Sequence, residues 1–202
     1  MKFILTILSL AIMNSAFSQE KTTIGDTTIG DNFTLLYSSG EKGTEIAKLI
    51  KPINQKFSLN TAALHIAKPN EDYKDAMFKV TLYEQDEITK KPGKKIITKD
   101  ILISVDSKNL KITRTTKSGT VLGWLTADLS ELNLVIEKPF YISFQNTINE
   151  NKNNNVKFNS GGNPDDSFYF DQEKKEWYET NKSLEEDEEP YGWVIKCEGY
   201  YL

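Results

Sequence analysis

The feature that most constrains this chain is the density of short apolar alternations, each closed by a polar break. In Met77 to Glu84, Phe78, Val80 and Leu82 alternate with Lys79 and Thr81. The period of two marks a strand with one face buried. Ile101, Ile103 and Val105 repeat the pattern, and Phe140, Ile142 and Phe144 place three large side chains on one face. Further short segments run at Phe33–Tyr37, Lys56–Lys68, Val121–Leu129, Val156–Phe158, Ser167–Phe170 and Tyr191–Leu202. Glu45–Ile53 has spacing that also suits one helical face, but its shortness and Pro52 favour a strand. Lys90-Lys91-Pro92-Gly93-Lys94-Lys95 reads as a basic turn before Ile96. No convincing long amphipathic helix interrupts the series, so the sequence predicts an all-β, antiparallel β-sandwich of jelly-roll-like type.

The N-terminus carries a second signal. Lys2 precedes an apolar run from Phe3 to Met13, and Ala16 and Ser18 place small residues before Gln19. A positive start, a short apolar core and a small-residue cleavage site are the marks of an export signal. The run falls short of the ~20 residues needed to span a bilayer. Residues 1–18 are therefore expected to be a signal peptide and the protein to be secreted or periplasmic. Residues 19–40 are expected to form an N-terminal segment or linker, and residues 41–202 one sandwich domain. The segment contains a tandem repeat, Thr22-Thr23-Ile24-Gly25-Asp26 and then Thr27-Thr28-Ile29-Gly30-Asp31. Two copies are too few for a solenoid, which leaves an irregular linker or a pair of short edge strands. The formal charge of −4 argues against nucleic acid or an anionic membrane as the main partner.

Catalytic chemistry finds little support. No nucleophile elbow, zinc-binding His pair or phosphate loop is present, and no cofactor motif occurs. Cys197 is the single cysteine and His65 the single histidine. Trp193, Ile195 and Cys197 share parity, which reads Cys197 as a small buried hydrophobe. His65 is opposite in parity to Leu64 and Ile66 and reads as an outward strand position. Asn163, Asp165, Asp166, Ser167 and Asp171 offer oxygen atoms that fit either an ordinary Asx-rich turn or a structural calcium loop, with the turn favoured. The Asn-rich stretch Asn146–Asn163 reads as a long exposed connection, and the acidic run Leu184–Pro190 as a solvated one.

Several segments together carry a resemblance. They are Phe78-Lys79-Val80-Thr81-Leu82-Tyr83-Glu84, Lys91-Pro92-Gly93-Lys94, Gly123-Trp124-Leu125-Thr126-Ala127-Asp128-Leu129-Ser130, Lys138-Pro139-Phe140-Tyr141-Ile142-Ser143-Phe144 and Lys175-Glu176-Trp177-Tyr178. In this order, the region from Ile46 to Leu202 resembles exported bacterial β-sandwich domains similar in layout to carbohydrate-binding modules. The resemblance implies fold and export, and assigns no functional residue. From the residues themselves, Trp177, Tyr178 and Tyr191 flank polar loops and are the candidate ligand-binding aromatics, because sugar rings stack on flat aromatic faces. Alternation puts Trp177 and Tyr178 on opposite faces of a strand, so at most one of them is open to a ligand. The expected function is a non-catalytic exported binding module for glycan, or else a cell-envelope structural or protein-interaction domain with no small-molecule ligand; a glycan or an envelope protein is the expected partner.

Overall fold

The computed structural model describes residues 19–27, 36–38, 42–53, 55–147, 156–181 and 190–202. The expected signal peptide, the second copy of the repeat beyond Thr27, and most of the Asn-rich and acidic runs lie outside these residues. Fifteen strands follow in order: β1 Thr22–Gly25, β2 Leu36–Ser38, β3 Glu45–Ile50, β4 Phe57–Lys68, β5 Met77–Gln85, β6 Pro92–Lys95, β7 Ile101–Ser104, β8 Leu110–Thr115, β9 Val121–Asp128, β10 Leu134–Ile136, β11 Phe140–Asn146, β12 Lys157–Asn159, β13 Ser167–Asp171, β14 Glu176–Glu179 and β15 Ile195–Tyr201. All the strand pairs are antiparallel, and two sheets pack against each other as an all-β sandwich.

One sheet, here sheet A, is organised around β4. Along one edge of β4 run β10 and then β9, with β8 outside β9. Along the other edge run β15 and then β12, with β1 outside β15 and β2 outside β12. The second sheet, sheet B, has the order β14-β13-β3-β11-β5, and both β6 and β7 pair with the far edge of β5. The main core lies between the sheets. It takes Phe57, Leu59, Leu64 and Ile66 from β4, Phe78, Val80 and Leu82 from β5, and Phe140, Ile142 and Phe144 from β11. Trp193, Ile195 and Cys197 join the same core, as their shared parity requires.

Three sequence expectations need correction. Pro92–Lys95 is strand β6, and the turn lies earlier, at residues 86–91. Proline is tolerated there because β6 pairs on one side only and Pro92 is its first residue. His65 does point away from the main core, yet it is fully buried. The Trp124 ring stands edge-on to it at 5.2 Å, and Thr113 and Asn159 contact its two ring nitrogens at 3.3 and 3.1 Å. Burial lowers its pKa to about 4. The end of the Asn-rich connection is not exposed either. Phe158, Asn159 and Ser160 are buried, and the Phe158 ring meets the Trp193 ring edge-on at 5.9 Å. Of the two readings left open for the repeat, the first copy takes that of a short edge strand, because β1 lies outside β15 in sheet A.

Candidate functional site

The three candidate aromatics come from neighbouring chain segments but have separate surroundings. Strand register sets Trp177 opposite Phe170 and Tyr178 opposite Tyr169. Trp177, only 9% exposed, belongs to a second apolar cluster on the outer face of sheet B with Ala47, Leu49, Tyr83, Tyr141 and Phe168. Its ring meets Tyr83 at 5.7 Å and Phe170 at 5.1 Å, both edge-on. Tyr178 is half-buried. It stacks on Tyr169 at 5.6 Å with 21° between planes, and its hydroxyl donates to Glu176 at 3.2 Å. The ammonium groups of Lys174 and Lys91 sit 5.2 and 5.6 Å from its ring centre. Tyr191 packs edge-on to Trp193 at 5.2 Å against the main core, and its carbonyl accepts from Thr180 Oγ1 at 2.6 Å. These three residues thus form no continuous platform.

The oxygen-rich turn is committed to the chain itself. Asn163 caps a short 3-10 turn by accepting from the Asp165 N–H at 3.1 Å. Asp166 meets Lys51 at 2.6 Å, Asp165 accepts from Asn181 at 2.8 Å, and Asp171 caps the N–H groups of Glu173 and Lys174. Among the described residues, no group of three or more His, Cys, Asp or Glu is placed to hold a metal ion.

A different place emerges between the β5–β6 turn of sheet B and the link from β10 of sheet A to β11 of sheet B. The β5–β6 turn and residues 135–140, the end of β10 with its link into β11, enclose an open cleft of about 1240 Å³. Phe140, Ile136 and Ile96 form apolar parts of its lining, with Glu84, Glu87, Glu137, Lys90, Lys94 and Lys138 as the charged parts. Ile88 and Val135 also line it, and they stand 92% and 50% exposed. The turn that carries Ile88 is held firmly. Asp86 Oδ1 accepts from the N–H groups of Ile88 and Thr89 at 3.1 and 2.7 Å and from Thr89 Oγ1 at 2.9 Å. Those donors keep the Asp86 carboxyl below its usual range, the Thr89 N–H contributing most. Two main-chain bonds, Asp86 N–H to Lys91 O and Lys90 N–H to Asp86 O, each 3.0 Å, close the turn. Tyr141 donates its hydroxyl to Lys90 O and ties the turn to sheet B. Lys138 and Glu87 approach to 3.7 Å across the cleft, but both are so exposed that the pair adds little stability.

Nothing in the sequence flagged this site. Its two walls are some fifty residues apart, and Ile88 sits in a stretch without alternation. The fold and the cleft define a class, a two-sheet antiparallel sandwich with an apolar-and-charged recess between a turn of one sheet and the link joining the two. Compared with known proteins, the chain matches no protein-family model, no curated protein and no solved structure.

Proposed function

We propose that this chain is an exported, non-catalytic binding module, secreted or periplasmic, that takes a segment of a partner protein into the cleft beside the β5–β6 turn. The single observation that carries this reading is Ile88. A large apolar side chain, 92% exposed, is presented on a turn fixed by five hydrogen bonds. Exposing it costs roughly 2 kcal/mol of unrealised burial, and fixing it in advance removes the ordering cost that binding otherwise carries. The cleft is larger and more open than the 300–1,000 Å³ typical of small-molecule sites. An apolar centre within a charged rim is the usual anatomy of a protein contact.

Glycan recognition is the second reading, and the half-buried Tyr169–Tyr178 stack beside Glu176 favours it. One experiment separates the two. Immobilised wild-type, Ile88→Glu and Tyr178→Ala proteins are each challenged with an envelope protein fraction and with a panel of polysaccharides. The protein reading predicts saturable protein binding lost in Ile88→Glu and kept in Tyr178→Ala. Polysaccharide binding lost only in Tyr178→Ala would replace it with the glycan reading. Export itself is tested by N-terminal sequencing, which should begin at Gln19.

A further inference from the structure

The tandem repeat bears directly on how β1 is held. Thr22 to Gly25 pair with Gly199 to Lys196 of β15. Three residues of the first copy, Ile24, Gly25 and Asp26, meet defined demands. Ile24 packs against the main core, directly across from Cys197. Gly25 has φ +103°, and a Cβ there would lie 2.6 Å from the carbonyl oxygen of Ile195, so only glycine fits. The Asp26 N–H donates to Ile195 O at 3.0 Å, and its carboxylate meets Lys48 Nζ at 2.7 Å. Lys48 shares the inward parity of Ile46 and Ile50, and its side chain is 3% exposed. Without Asp26 its ammonium would be a buried charge lacking a carboxylate.

The next five residues, Thr27-Thr28-Ile29-Gly30-Asp31, repeat every one of these groups in the same order. Strand register shows that the chain has room to use them. Gly25 lies level with Lys196 and, across β15, with Ala63 of β4. Leu36 lies level with Asn159, one step beyond the Phe158–Ile66 pair and so level with His65. The two ends are therefore about two residues apart along the sheet, roughly 7 Å. A sideways step of one strand spacing adds only about 5 Å. Residues 32–35, which would join Asp31 to Leu36, can reach about 13 Å.

We infer that the groove formed by the edge of β15 and Lys48 is a binding site for the peptide Thr-Thr-Ile-Gly-Asp, and that both copies in this chain compete for it. The N-terminal strand has two registers five residues apart. The observed one is favoured because Lys21 then pairs with Glu198. In the shifted one Asp26 takes the place of Lys21 and faces Glu198 as a like charge. Moving between them lets the segment ahead of the sandwich lengthen or shorten by about 17 Å while the groove stays filled.

The test is a mutant cycle on the full chain, read by urea unfolding. Asp26→Ala is expected to lower the folded-to-unfolded ratio by about tenfold at most, because Asp31 replaces it. Asp31→Ala alone is silent. The double variant, with no carboxylate for Lys48, loses on the order of a hundredfold or more. Gly25→Val and Gly30→Val behave in the same way, each tolerated alone and damaging together. Deleting residues 22–26 leaves Lys21 followed by the second copy and is expected to keep wild-type stability. The inference is overturned if Asp26→Ala or Gly25→Val alone is as damaging as its double variant, or fails to fold. It is equally overturned if both double variants are harmless.

Discussion

Replacing Glu45 is the sharpest probe of how the outer face of sheet B is built. Glu45 opens β3 and is 6% exposed, between Gln145 of β11 and Phe170 of β13 in register. Its Oε1 accepts from Ser143 Oγ at 2.6 Å and from Tyr83 OH at 2.9 Å, while Gln145 Nε2 stands 3.5 Å from Oε2. Burial raises the carboxyl pKa above 4.5, outweighing the lowering by Ser143, Tyr83, Lys95 and Lys79. Because the folded pKa is raised, Glu45 favours the fold at low pH. That contribution is complete below about 4.5 and is lost as pH rises through the folded value. Glu45→Gln keeps an acceptor for both hydroxyls and removes the buried charge. It should match or exceed wild-type stability at pH 7, by about 1 kcal/mol. Glu45→Ala strands two hydroxyls at about 1–3 kcal/mol each, so a loss of roughly 3 kcal/mol is expected. For a domain of this size that corresponds to a Tm about 6–12 °C lower. Urea unfolding of the three proteins from pH 4.5 to 8 gives both numbers. A Gln variant clearly less stable than wild type at pH 7, or one whose difference from wild type does not change with pH, would refute the reasoning.

Three further predictions rest on buried groups. Burial raises the Cys197 thiol to about 12, so a thiol reagent should modify the native protein at least a hundredfold more slowly than the unfolded chain. His65 has a folded pKa of about 4, below its ordinary 6.5, so its contribution is present above 6.5 and lost as pH falls toward 4. His65→Gln should flatten that acid-side loss, which urea unfolding between pH 7 and 4 is expected to show as at most about 3.4 kcal/mol. Trp177→Ala removes the ring that Tyr83 and Phe170 pack against and should cost about 3–5 kcal/mol by urea unfolding.

The parts of the fold legible in the sequence are those with one wet face and one dry face. β5 and β11 have their inner residues in the core, and simple alternation finds them. β8 escapes because only Leu110 of its six residues is buried, which leaves no contrast to read. β3 is ambiguous for the opposite reason. All six of its residues are buried, with Glu45 and Lys48 among them, so polarity no longer marks a face. The aromatic cluster around Trp177 was half legible. Parity separated Trp177 from Tyr178, but only the pairing of β13, β3 and β11 shows that sheet B packs apolar side chains on both faces. The cleft was not legible at all, because it depends on two turns that meet only after both sheets have formed.

Photocrosslinking tests the central claim most directly. A photoreactive residue is placed at Glu87 or Lys138, on the two walls of the cleft, and for comparison at Lys117 on the β8–β9 turn. Irradiation is carried out on cells that export the protein. The account predicts one and the same protein adduct from both cleft positions, absent at Lys117 and abolished by Ile88→Glu. No adduct from either wall, or one that survives Ile88→Glu unchanged, would contradict it.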